Sequence, residues 1–175
     1  MKSSEFKLLV MPYSSRLYRM AFRLMNSREE AEDIVQEVYV KLWGMRNEIE
    51  KYNSIEALSI RITRNLCLDH LRRRKVNHDA MKAEQYKQNS HPETPSENLE
   101  KKEDAELVHA LIAALPEPQR SLVHLRHLEG KEYEEIAEMV NMNVNAIRVS
   151  ISRARKQMRA LVDRETKIAQ RKLLQ

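Results

Sequence analysis

The 175-residue sequence predicts an all-α protein of two small helical domains joined by a flexible linker. Three observations carry that expectation. The chain has only two glycines, Gly44 and Gly130, and is rich in Leu, Ile, Ala, Glu, Lys and Arg, with nine Met; straight-chain residues lose little rotamer freedom in a helix. Apolar residues recur at three- and four-residue steps, the helical period, through both halves. The charge is also uneven: residues 1–77 hold 15 Lys/Arg against 10 Asp/Glu (+5), 78–104 hold 4 against 7 (−3), and 105–175 hold 12 against 9 (+3). The middle segment contains NSHPETPSEN, whose composition cannot bury enough apolar surface to offset chain entropy. The expected organisation is therefore a helical domain at 1–77, an acidic flexible linker at 78–104 and a second helical domain at 105–175.

Composition also excludes whole classes of function. Two glycines leave no room for a phosphate-cradling loop, which needs several at fixed spacing, so most nucleotide-binding enzymes are ruled out. No apolar run approaches the ~18 residues of a membrane span, and the N-terminal apolar stretch is too short for a secretory signal; no membrane insertion is expected. The single cysteine, Cys67, cannot form an internal disulfide and fits a reducing cytoplasm. Cys67-x-x-His70 and His124-x-x-His127 have helical spacing, but neither has a second matching pair to complete a four-ligand site. No nucleophile–base pair or carboxylate dyad stands out. The expectation is a non-enzyme with no metal and no cofactor.

In the first domain, Phe6, Leu9, Val10, Tyr13, Leu17, Met20, Ala21 and Leu24 form one apolar stripe, with Pro12 kinking or starting the helix. A second helix opens at Ser27, with Glu30 three residues on as a capping box. Ala31, Ile34, Val35, Val38, Leu42 and Met45 form its buried stripe, and Glu29, Glu32, Asp33, Gln36, Glu37 and Lys41 its polar face. Trp43 reads as a core or edge aromatic. The third helix, Ser54 to Lys75, has seams Ile55–Leu58–Ile62–Leu66 and Ile60–Cys67–Leu71, with Arg61, Arg64, Asn65 and Arg72 between them. It ends in Arg72-Arg73-Arg74-Lys75. Cations at a helix C-terminus are favoured by the dipole, by about 0.3–1 kcal/mol each. A guanidinium stripe between two seams goes further and suggests contact with phosphate, whose oxygens match the planar fork of Arg.

The second domain is the more specific. Leu107, Val108, Leu111, Ile112 and Leu115 predict a helix stopped by Pro116 and Pro118. Gln119–Glu129 predicts another, with Leu122, Val123, Leu125 and Leu128 inside and Gly130 ending it. Tyr133–Val140 follows, then a turn at Asn141-Met142-Asn143 with Asn143 as cap. The last helix puts Val144, Ile147, Ile151, Ala154, Met158 and Leu161 inward. A short helix, a tight turn and a second helix make a helix-turn-helix pattern, within a four-helix domain. The outward face of the last helix carries Asn145, Arg148, Val149, Ser152, Arg153 and Lys156, flanked by Arg155 and Arg159; between Val144 and Ala160 there are five basic residues and no acidic one. An ordinary solvated helix mixes Glu with Lys, and this one does not. Arg148 can pair with guanine, Val149 can meet a thymine methyl, and Asn145 or Ser152 can bond bases. Arg153, Arg155, Lys156 and Arg159 suit phosphates.

These residues carry a resemblance. REEAEDIVQEVYVKLW (Arg28–Trp43) is similar to the second conserved region of bacterial sigma-70-type factors, and ITRNLCLDHLRRRK (Ile62–Lys75) resembles the adjoining part that meets the minus-10 element. Leu115-Pro116, EYEEIA (Glu132–Ala137), Val144-x-x-Ile147-Arg148 and SRAR (Ser152–Arg155) resemble the fourth region. A bare linker, with no first or third region, resembles the extracytoplasmic function (ECF) group. The resemblance implies a partner, core RNA polymerase, docked through Asp33, Gln36 and Glu37 on its clamp helices. It implies promoter DNA, with Arg61, Arg64, Asn65, Arg72 and Arg73 at the minus-10 element. The loop from Arg46 to Ser54, with Asn47, Tyr52 and Asn53, would capture a flipped base. Asn145, Arg148, Val149, Ser152, Arg153, Arg155 and Lys156 would read the minus-35 element. The linker would thread toward the polymerase's RNA exit path, and an anti-sigma factor is implied. Family members often carry an aromatic residue where this chain has Leu58. The contrasting reading is a stand-alone helix-turn-helix regulator binding an operator as a dimer, which leaves the first domain's arginine stripe unexplained.

Overall fold

The computed structural model describes residues 2–81 and 99–173, with side chains described for 2–75 and 106–164. Among the described residues every regular element is helical. They are α1 (Ser3–Val10), a 3₁₀ turn (Met11–Tyr13), α2 (Ser14–Met25), α3 (Arg28–Gly44), a 3₁₀ turn (Ile49–Lys51), α4 (Ile55–Met81), α5 (Leu99–Ala113), α6 (Gln119–Val123), a π-helical turn (His124–Leu128), α7 (Tyr133–Val140) and α8 (Val144–Leu173). The backbone clusters into two compact units, Met1–Pro95 with Glu138–Asn141, and Ser96–Ala137 with Met142–Gln175. The flexible linker is expected at 78–104, but helical backbone extends into both its ends, to Met81 and from Leu99; its remainder, 82–98, lies outside the described residues.

In the first unit, α2, α3 and α4 pack on one another. Leu17, Met20, Ala21 and Leu24 of α2 meet Ile34, Val38 and Leu42 of α3 and Leu58, Ile60, Leu66 and Cys67 of α4 in the core. The single stripe expected from Phe6 to Leu24 is carried by two helices. Pro12 sits in the 3₁₀ turn between them, because proline lacks the N–H and clashes with the preceding turn of an α ladder. Asn26 ends α2 in the left-handed region at φ 55°, which Asn tolerates better than most residues. Ser27 then caps α3, its Oγ accepting from Glu30 N at 3.3 Å. Glu30's carboxylate does not complete a capping box; it takes Arg74 of α4.

The expected seams of α4 need one correction. Ile55 and Ile62 are half-buried, whereas Ser59 and Thr63 are fully buried. Their hydroxyls donate to the carbonyls one turn back, Ser59 Oγ to Ile55 O at 2.7 Å and Thr63 Oγ1 to Ser59 O at 2.8 Å. A hydroxyl satisfied by its own helix can face a core, so an apolar count alone misplaces the buried line.

The second unit has a core of Ile112, Leu115, Val123 and Ala154, with Met158 packed against it. The helix expected at Gln119–Glu129 is α only to Val123 and then widens to a π turn. Glu129 N donates to His124 O at 3.1 Å, an i→i+5 bond. That turn brings residues five apart together: His124 and Glu129, both buried, stand 3.6 Å apart. Gly130, at φ +67°, then lets Lys131 N donate back to Leu125 O at 2.9 Å. The wider turn rotates Leu128 outward, so it is exposed rather than inside, and Leu107 and Val108 are exposed as well.

Candidate nucleic-acid interface

The arginine stripe of α4 begins from a capped start, with Ser54 Oγ accepting from Ala57 N at 3.0 Å. Positions 61, 64, 65 and 72 fall on one face at the helical period. Arg61 and Arg64 are half-buried, and Asn65, Arg72 and Arg73 are exposed. The terminal basic cluster is divided in two by its partners. Arg74 Nη1 straddles both carboxylate oxygens of Glu30 at 2.9 and 3.1 Å, tying α4 to the first turn of α3. Among the described residues Arg72 pairs with Asp69 at 3.4 Å, with both side chains more than half exposed; such pairs contribute about 0–1 kcal/mol. Arg72 is thus exposed and weakly held.

The loop before α4 is anchored by Ile49, which is fully buried and was not singled out by periodicity. Asn47, Tyr52 and Asn53 are exposed around it. Arg46 turns the other way: its Nη1 donates to Trp43 O at 3.1 Å and its guanidinium lies 4.6 Å from the Trp43 ring centroid. Trp43 meets Phe6 edge-on at 5.1 Å, an edge aromatic as expected.

On α3, Asp33 and Gln36 are exposed and Glu37 is half-buried. Glu37 lies 3.9 Å from Lys41 Nζ and 3.6 Å from His70 Nε2. Gln36 also lines a shallow groove with Glu32 and Val35 of α3 and Ser14, Ser15, Tyr18 and Arg19 of α2. The three residues form one polar surface opposite the buried stripe Ala31, Ile34, Val35, Val38 and Leu42.

The helix-turn-helix is built by its turn. Asn141 takes φ 55°, and Met142 N donates to Ala137 O at 3.2 Å, the six-to-one closure of a Schellman motif. Asn143 Oδ1 accepts from Ala146 N at 2.8 Å, capping α8 as the sequence predicts. Ile147, Ile151 and Ala154 are buried, while Asn145, Arg148, Val149, Ser152, Arg153, Arg155, Lys156 and Arg159 lie on the remaining faces, Ser152 and the rest open to solvent.

Two of these arginines meet side chains that the sequence did not assign to this surface. Arg148 lies 5.0 Å from the Tyr133 ring centroid, and Arg126 lies 4.7 Å from the same ring. Arg126 is itself fixed by Glu132 at 3.0 Å and Lys131 O at 2.8 Å; its bond to Glu132 is the main cause of a pKa raised above its ordinary value. Arg155 Nη2 stands 3.3 Å from His127 Nε2. Burial, then the charges of Arg155 and Arg126, hold the His127 imidazole below its ordinary pKa. Neutral His127 can thus accept from Arg155.

Among the described residues no helix is long and apolar enough to cross a membrane. The Cys67–His70 and His124–His127 pairs part in the fold: Cys67 and His124 are buried in their cores, while His70 lies beside Glu37 and His127 beside Arg155.

The family profile "Sigma-70 region 2" matches residues 9–76, and "Sigma-70, region 4" matches residues 105–158. The chain is 32% identical over 159 residues to the ECF RNA polymerase sigma-E factor of Haemophilus influenzae, covering 86% of this chain and 83% of that one. It is 29% identical over 154 residues to the ECF RNA polymerase sigma factor SigE of Mycolicibacterium smegmatis, of which it spans 59%. Its fold is that of the sigma factor RpoE from Bartonella quintana, solved in complex with the anti-sigma factor NepR: TM-score 0.74 at 22% identity, covering 91% of this chain and 97% of that one. With both matched regions in order and a relative 32% identical of which it covers 83%, the chain belongs to the ECF family of RNA polymerase sigma factors.

Proposed function

We propose that this chain binds core RNA polymerase through Asp33, Gln36 and Glu37 and directs it to promoters as a sigma factor. In this reading the first unit meets the minus-10 element with Asn53, Arg61, Arg64, Asn65, Arg72 and Arg73. The second unit reads the minus-35 duplex with Asn145, Arg148, Val149, Ser152, Arg153, Arg155 and Lys156. It acts where the polymerase acts, in the cytoplasm, and contributes no catalytic residue of its own. The observation that carries the reading is the outer face of α8, with five basic residues and no acidic one between Val144 and Ala160 behind an Asn143 cap. The row of Arg61, Arg64, Asn65 and Arg72 along one face of α4 supports a second DNA contact in the first unit.

An anti-sigma factor is the second partner. B. quintana RpoE was solved with NepR, and CnrH, at TM-score 0.65, with the cytosolic domain of CnrY. A free sigma factor would otherwise compete for polymerase continuously.

The test is holoenzyme assembly. The chain should co-elute with purified core polymerase, and charge reversal at Asp33 with Ala at Gln36 should weaken that association about tenfold or more while leaving the thermal melt of the free chain unchanged. These positions are exposed, and exposed substitutions usually shift stability by less than ~0.5 kcal/mol. Unchanged association in the variant would show that α3 is not the docking face.

A further inference from the structure

Tyr133 is not among the residues assigned to DNA contact, yet it gathers two guanidiniums. It is the first residue of α7 and is half-buried. Arg148 of α8 and Arg126 of the π turn both lie over its ring, at 5.0 and 4.7 Å from the centroid. Two cations on one ring would repel. Glu132, 3.0 Å from Arg126 Nη1, offsets the charge of one of them, and Lys131 O at 2.8 Å fixes that guanidinium further. The second, Arg148, meets no carboxylate in these contacts. A guanidinium that meets a ring through its face leaves its edge N–H groups directed away from that ring.

That geometry suits base reading. A guanidinium engages an aromatic ring through its face, while bidentate recognition of guanine O6 and N7 uses its edge. The two contacts can coexist. An exposed arginine also loses rotamer freedom when it binds, and a side chain already ordered in the free protein loses less.

We propose that Tyr133 is a positioning residue for sequence readout: its ring is the platform that orients Arg148 for a guanine in the minus-35 duplex. The proposal rests on the reading of α8 as the base-reading helix. Arg126 and Glu132 complete the support by holding the platform's other cation in place.

The experiment uses holoenzyme, core RNA polymerase with the full chain, on a promoter library randomised at the upstream element. Bound and unbound pools are sequenced at two salt concentrations. Arg148→Ala should abolish the preference at one base pair. Tyr133→Leu should reduce the preference at that same base pair about two- to fivefold, the worth of an exposed cation–π contact. Other positions and the salt slope should hold. Tyr133→Phe keeps the ring and should retain the preference.

If Tyr133→Leu melts below the assay temperature, Tyr133→Gln provides the ring-free arm. A uniform loss over all sequences in the ring-free variant would overturn the proposal, because it would mark Tyr133 as merely structural. Equal losses in Tyr133→Phe and Tyr133→Leu would also overturn it, since the hydroxyl rather than the ring would then be the active group. Lost preference in Arg148→Ala with full preference in the ring-free variant overturns the platform and leaves the α8 reading intact. No change in Arg148→Ala overturns the α8 reading itself.

Discussion

At the scale of single residues, the outer face of α8 separates two kinds of arginine and lysine. Arg148 sits in the second turn, over an aromatic ring, in the part of a recognition helix that reaches base edges. Lys156 is exposed two turns further on, and in the proposed function it meets a phosphate. Arg148→Ala should cost about 1–3 kcal/mol at one base pair and relax preference there. Lys156→Ala should weaken binding to every sequence alike and reduce the salt slope by about one unit. Binding measured over a salt series on matched and mismatched promoters separates them; identical effects would remove the distinction.

His127 gives a second residue-scale prediction. Its pKa in the folded chain lies below the ordinary 6.5, so the unfolded chain takes up a proton before the folded one as pH falls. The contribution of this site is present above about pH 6.5 and is lost below it. His127→Gln keeps an acceptor for Arg155 but does not titrate, so its urea midpoint should fall less steeply between about pH 7 and 5 than that of the unsubstituted chain. Parallel curves would mean that His127 is not depressed.

At the scale of elements, the turns decide where the reading helix lies. Asn143 supplies the cap of α8, with its Oδ1 accepting from Ala146 N at 2.8 Å; Asn143→Ala should lower stability by about 1 kcal/mol in a urea titration. Gly130 holds φ +67°, and a Cβ added there would meet nothing within 4 Å, so the cost of Gly130→Ala is backbone conformation rather than collision. It should be about 1–2 kcal/mol. A loss well below that would mean the backbone can relax out of the left-handed region.

These elements also show what the sequence discloses. Amphipathic stripes, the Ser27 and Asn143 caps and the Gly130 stop are local, and each can be read from neighbouring residues. The π turn is not legible that way. It depends on a buried His124–Glu129 approach at 3.6 Å, between residues that a regular α-helix would direct apart. Ser59 and Thr63 escape a core assignment for a related reason: their hydroxyls are satisfied by backbone carbonyls, which a hydropathy pattern does not record. At the candidate site, the basic residues are legible as a row without acids. Tyr133, Arg126 and His127 are not, because they reach α8 from other elements.

At the scale of the whole molecule, the net charge of +5 conceals a division of roles. Two basic helical surfaces are set against an acidic middle segment and the acidic face of α3. Arg74 illustrates the separation, since its pairing with Glu30 withdraws one cation from the basic cluster of α4 and uses it to join two helices. The central claim is that these surfaces work together on polymerase and promoter. Run-off transcription with purified core RNA polymerase, with and without the chain, tests it most directly. Promoter-specific transcripts should require the chain and should disappear when Arg148 and Arg61 are both replaced by Ala. Transcripts that do not depend on the chain, together with tight binding of the isolated protein to a palindromic duplex as a dimer, would show the claim to be wrong.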